Sequence, residues 1–138
     1  MPEVMSPEKR RLEGPVRPTA LIVDREPLYR WFVSEALGPS HVHVVQCRTL
    51  DDADGFLQSQ RADLLLADEF TVRSAGPDAL DHLMRLARSI PCVVLDSSGN
   101  ASRSYLRDRA VVVDKPVDAS ALARLVEHEL HRQVQRIL

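Results

Sequence analysis

The chain lacks most features that mark a specialised small protein. It has two cysteines in 138 residues, Cys47 and Cys92, each inside an apolar segment, which is too few for a disulfide framework and points to a reducing, cytoplasmic setting. No uninterrupted apolar run exceeds four residues, so a transmembrane helix is excluded and no membrane contact is expected. The opening residues are polar and proline-rich and carry no signal-peptide pattern. Charge of one sign is also missing. The net value is −2, which removes the electrostatic case for nucleic-acid binding by this domain. No glycine-rich loop follows any strand candidate, which disfavours a dinucleotide or nucleoside-triphosphate enzyme. Lysine is scarce: of 18 basic residues all but Lys9 and Lys115 are arginine.

What is present is an apolar fraction of 44%, enough at this length for one domain with a real core. Residues 1–18, with Pro2, Pro7, Pro15 and Pro18 around Lys9, Arg10 and Arg11, are expected to form a flexible leader, and 19–138 the folded domain. From Thr19 onward, four-residue apolar runs recur at Ala20–Val23, Leu64–Ala67, Cys92–Leu95 and Ala110–Val113, and His41–Cys47 is a fifth strand candidate. Short continuous apolar runs are the pattern of strands buried on both faces.

Amphipathic helices are predicted between these strands. The first covers Pro27–Leu37, with Leu28, Trp31, Phe32 and Leu37 on one face; the second follows a Thr49 N-cap and turns Leu50, Ala53, Phe56 and Leu57 to the core. The third runs from about Pro77 to Arg88 on Leu80, Leu83, Met84 and Ala87, and a short fourth spans Ala101–Arg109. The last starts after Asp118 and carries a stripe from Leu122 to Ile137, longer than one small sheet requires. Five strands alternating with five helices define an α/β fold with a doubly wound, five-stranded parallel sheet.

Each four-residue run is followed at once by an aspartate: Asp24, Asp68, Asp96 and Asp114. Parallel strands end at a common edge, where ligands bind in open α/β folds, so several of these carboxylates should converge. Asp114 is the one read either as a member of the cluster or as a turn residue pointing away from it. Carboxylates about 5 Å apart repel by roughly 3 kcal/mol at an effective dielectric near 20, so the cluster needs a cation, a shared proton or a basic side chain. Lys115 follows the last strand directly, a compact ammonium in a chain that otherwise uses arginine. Lys115-Pro116 is also a natural place for a cis peptide.

With these residues in place, the chain from about Thr19 to its end resembles the receiver domains of bacterial two-component response regulators, with their flavodoxin-like fold. TALIVDRE (19–26) matches the first strand of that family, ADLLLAD (62–68) the third, IPCVVLDSSG (90–99) the fourth and VVVDKP (111–116) the fifth; Gly76 takes the place of the loop glycine. The resemblance implies Asp68 as phosphoacceptor, Asp24 as first acid and Lys115 as the phosphate-contacting lysine. It also implies a signalling partner, a histidine kinase or a downstream effector, and no catalysis of its own.

Four positions depart from that pattern. Arg25 stands at the second acid, Asp96 at the fourth-strand hydroxyl, Val112 at the switch aromatic, and Val72 at the proline after the phosphoacceptor. Three acids (Asp24, Asp68, Asp96) and two cations (Arg25, Lys115) leave a pocket of net −1, poorer in charge for Mg²⁺, which requires oxygen ligands. Asp96 and Val112 are thus altered switch positions. The expectation is an atypical receiver in which Arg25 and Lys115 neutralise Asp68 and Asp96. No cofactor is expected, and Mg²⁺ would bind at Asp24 and Asp68 only if phosphorylation persists. Two alternatives stand beside it: a working receiver phosphorylated on Asp68, and the receiver fragment of a larger DNA-binding regulator.

Other candidates are weaker. His41 with His43 and His128 with His131 lack metal-site spacing, and Ser97-Ser98-Gly99 lacks the surroundings of a nucleophile elbow. Contact is expected through the side formed by the fourth helix, fifth strand and last helix. Leu130, Val134, Ile137 and Leu138 are candidates for partner docking or a homodimer.

Overall fold

The computed structural model describes residues 17–99 and 106–137, with side chains as far as Arg132. Five strands form one parallel sheet in the order β2-β1-β3-β4-β5: β1 Thr19–Val23, β2 His43–Cys47, β3 Leu64–Asp68, β4 Cys92–Asp96 and β5 Val111–Asp114. The helices among the described residues are α1 Pro27–Leu37, α2 Leu50–Leu57, α3 Glu69–Arg73, α4 Ala79–Leu86 and α5 Ala119–Ile137. This is the doubly wound architecture expected from the alternation of runs.

The strand residues alternate between two cores, which is why their runs are continuously apolar. Leu21, Val23, Leu65, Ala67 and Val94 face a layer containing Leu50, Ala53, Leu83 and Met84 from α2 and α4. Ala20, Ile22, Leu64, Leu66, Val93 and Leu95 face Val33, Leu37, Leu122 and Val126 from α1 and α5. Every residue of β3 and β4 is buried, including Asp68 and Asp96. Strand order reverses between β1 and β3, so the crevice for a ligand falls where Asp24 and Asp68 emerge.

Helix ends follow local chemistry. Thr49 and Asp52 form a reciprocal capping box at the start of α2. Asp118 Oδ1 accepts from the Ala121 amide at 2.8 Å and caps α5. Gly76 has φ +126°, a conformation that a side chain would strain, between α3 and α4. The Lys115-Pro116 peptide is cis.

Several expectations need correction. The buried stripe of α1 is not Leu28–Trp31–Phe32–Leu37: Leu28 is 81% and Trp31 58% exposed, whereas Val33, Ala36 and Leu37 are buried and Tyr29 and Phe32 pack against them. The stripe at 29, 32, 33, 36 and 37 keeps the i, i+3, i+4, i+7, i+8 spacing that a helix lying on a sheet needs. β2 begins at His43, because a 3₁₀ turn over Gly38–Ser40 leaves His41 left-handed at φ 59°. α4 is shorter than Pro77–Arg88, and α3 was not anticipated.

Other expectations fall largely outside the described residues. Of the leader, only Arg17 and Pro18 are described; the Arg17 guanidinium donates to the His41 carbonyl, and the Pro18 carbonyl accepts from the His43 amide. Of the helix expected over Ala101–Arg109, Leu106 and Arg107 are helical and Leu106 is fully buried, while 101–105 lie outside. The docking tail at Val134, Ile137 and Leu138 also lies outside the described side chains.

Candidate functional site

Asp24, Asp68 and Lys115 meet at the carboxyl edge of the sheet. Asp24 leaves β1 fully buried; its amide donates to the Cys47 carbonyl, and its Oδ1 accepts from the Glu26 amide at 2.9 Å. Asp68 ends β3 and caps α3: Oδ2 accepts from the Thr71 amide at 3.0 Å and the Thr71 hydroxyl at 2.6 Å. Lys115 follows β5, its amide bonded to the Asp96 carbonyl at 2.8 Å. Its Nζ lies 2.9 Å from Asp24 Oδ2 and 3.0 Å from Asp68 Oδ1.

The ammonium therefore bridges the two buried acids. Tyr29, one turn into α1, places its ring over the same ammonium, with Nζ 3.6 Å from the centroid. Burial works against the charge on Lys115, but the hydrogen bonds and charges of Asp24 and Asp68 outweigh it and hold the ammonium above its ordinary pKa. Burial raises the Tyr29 phenol; the two carboxylates add to the rise and Lys115 opposes it.

The remaining expected members do not join this cluster. Arg25 does not neutralise Asp68 or Asp96. Its guanidinium carbon sits 4.4 Å from the centroid of the Phe70 ring, and Nε is 3.9 Å from Glu26 Oε1, with half of the side chain exposed. The next residue after a strand is free to turn outward, and an aromatic face beside it gives a guanidinium a better neighbour than a crowded ammonium. Asp96 is buried but is not paired with Lys115; its Oδ1 accepts from the Ser98 amide and hydroxyl at 2.9 and 3.0 Å, an Asx-type turn within its own loop. Asp114 is exposed at the end of β5. Val112 is half-buried against the α2 and α4 side of the core.

Thr71, Tyr29 and Arg30 were missed. Thr71 Oγ1 donates to Asp68 and accepts from the Arg25 amide at 3.1 Å, joining the loops after β1 and β3. Arg30 donates from Nη1 to the Asp24 carbonyl at 2.7 Å. One signal was available: an aspartate followed by Glu69 and, four positions later, Arg73 is a helix start with an acidic first turn and an i,i+4 ion pair, observed at 2.8 Å.

Mg²⁺, which the resemblance implies, takes oxygen ligands in a tight octahedron. The opposed oxygens Asp24 Oδ2 and Asp68 Oδ1 instead share an ammonium. The Glu26 side chain is 67% exposed and its nearest cation is Arg25, outside the pocket. Among the described residues no three His, Cys, Asp or Glu side chains form a metal-holding group. The residues present do not fit the ion.

Solved structures share this fold. A response regulator from Thermotoga maritima matches with a TM-score of 0.73 over 84% of this chain and 99% of its own, at 21% identity. A CheY-like receiver domain protein from Methanospirillum hungatei gives 0.74 over 88% and 99%, at 18% identity. The signal receiver domain of a putative Luxo repressor protein from Vibrio parahaemolyticus gives 0.75 over 88% and 97%, also at 18%. The chain thus has the flavodoxin-like fold of CheY-like response-regulator receiver domains. No family model matches the sequence, and no curated protein matches it. No described helix is long and apolar enough to cross a membrane.

Proposed function

We propose that the chain is an atypical receiver-like domain of two-component or phosphorelay signalling. It acts by protein–protein contact rather than catalysis, and Mg²⁺-dependent phosphorylation of Asp68 is impaired. The observation that carries this reading is the Lys115 ammonium held 2.9 and 3.0 Å from Asp24 and Asp68. Phosphoryl transfer to a carboxylate needs a free attacking oxygen and positive charge on the phosphoryl oxygens. Here Asp68 Oδ1 is engaged by Lys115 and Oδ2 by Thr71, and the ammonium takes the place of a divalent ion.

Asp24 and Asp68 share the single Lys115 ammonium, and the pocket holds one conformation without a phosphate signal. Its partner is a histidine kinase or a downstream effector, met in the cytoplasm, and the domain requires no cofactor. Among the described residues the exposed large apolar side chains are Leu28, Trp31 and Phe70, in α1 and α3, next to the loops that Thr71 joins. They offer a contact surface beside the pocket.

The test is intact mass after incubation with a small phosphodonor and Mg²⁺, for wild type, Asp68→Asn and Arg25→Asp. No adduct on wild type is expected. An adduct on wild type that is absent from Asp68→Asn would make this a working receiver and overturn the reading. An adduct on Arg25→Asp alone would show that the missing second acid is what disables the pocket.

A further inference from the structure

A second concave site lies at the opposite, amino-terminal edge of the sheet. The loop before β4, the turn before β5 and one face of α5 border an open hollow of about 450 Å³. Among the described residues four arginines line it, Arg88, Arg107, Arg109 and Arg132, with two acids, Asp108 and Glu129. Glu129 is nearly buried and holds Arg132 Nη1 at 3.3 and 3.4 Å from its two oxygens, which fixes that arginine at the wall.

The other three arginines are exposed to solvent. Their backbone is nevertheless tied down. The Arg109 and Ala110 amides donate to the carbonyl of fully buried Leu106 at 3.0 and 2.9 Å, and the Arg88 amide donates to the Arg85 carbonyl at 3.2 Å. The fold thus sets three exposed guanidinium-bearing side chains and Arg132 around one hollow. Water screens their mutual repulsion, and an anion seated among them would meet several positive charges at once.

We infer that this hollow binds a small phosphate-bearing molecule carrying at least two negative charges. Guanidinium forks match phosphate oxygens in bidentate pairs, and the described lining residues sum to +2, which suits a dianion or more. The volume lies in the range of small-molecule sites. Ile90 and Val111 supply an apolar wall for an uncharged body. The site is remote from the Asp68 pocket, at the other end of the strands.

Isothermal titration of the full chain with ATP and with inorganic tripolyphosphate, both without Mg²⁺, tests the inference. One saturable site per chain is expected. Arg107→Ala/Arg109→Ala should weaken it by about tenfold or more, the loss of charge-assisted pairs. Arg124→Ala, an exposed arginine elsewhere on α5, and Asp68→Asn should leave it unchanged. Tighter binding of ATP than of tripolyphosphate would mean that the apolar wall is used, and equal binding that phosphates alone are read; both uphold the site. No saturable binding of either probe, equal loss in Arg124→Ala, or loss in Asp68→Asn would overturn it.

Discussion

Lys115→Met removes the ammonium while keeping most of the apolar stem, and so isolates the charge. In the native pocket Nζ is 2.9 Å from Asp24 Oδ2 and 3.0 Å from Asp68 Oδ1, so those oxygens are no farther apart than the sum, about 6 Å. Asp24 is fully buried and the Asp68 side chain is 8% exposed, so water does little to replace the lost partner. Two carboxylates at roughly 5 Å repel by about 3 kcal/mol at an effective dielectric near 20. Leaving a buried charge unpaired costs about 3–5 kcal/mol, a large share of the stability of a domain this size. Urea unfolding followed by circular dichroism should show a loss of that order at neutral pH. Adding Asp68→Asn to Lys115→Met should recover about 2–3 kcal/mol, because the mutual repulsion disappears. A loss below about 1 kcal/mol would refute the reasoning, given the cost expected for breaking a buried pair. So would a double variant less stable than Lys115→Met.

Further outcomes follow from the same geometry. Thr71→Val should cost about 1–3 kcal/mol in chemical denaturation, since one hydroxyl serves both Asp68 and the Arg25 amide, whereas Thr71→Ser should stay near wild type. Thr49→Ala should cost about 1 kcal/mol through loss of the α2 cap, read as a lower midpoint in a thermal melt. Burial pushes the Cys92 thiol up to about 12 from 9.0, so its contribution is complete below pH 9 and is lost as pH rises, because the unfolded chain sheds that proton first. Under reducing conditions wild type should therefore lose about 2 kcal/mol more than Cys92→Ala between roughly pH 8 and 10.5 in urea titrations. Equal losses would remove the thiol from the account.

The sheet was legible in the sequence for a physical reason. Strands buried on both faces admit only continuous apolar runs, and Ala20–Val23, Leu64–Ala67 and Cys92–Leu95 are such runs with an aspartate at the edge where chains in this topology turn back. That order brought several of the aspartates and Lys115 to one edge, but did not decide the choice of Asp24 rather than Asp96 as the second partner of the ammonium. The orientation of Arg25 did not follow from it either, because a side chain one residue past a strand answers to its neighbours, and Phe70 enters only through α3. α3 itself was obscured by a β-branched Thr71 and Val72, and with it went the partner of Asp68. On α1, two overlapping apolar stripes fit a helix; only packing against the sheet and α5 separates Leu28 and Trp31 from Tyr29, Val33 and Ala36.

The central claim is that an ammonium holds the place between Asp24 and Asp68 that a divalent cation would need. The most direct measurement is a Mg²⁺ titration followed by amide chemical shifts in two-dimensional NMR, read at Asp24, Asp68 and Thr71. The account predicts no saturable shift at these amides into the millimolar range. Saturable shifts converging on Asp24 and Asp68 would show that Lys115 yields to the metal and would contradict it.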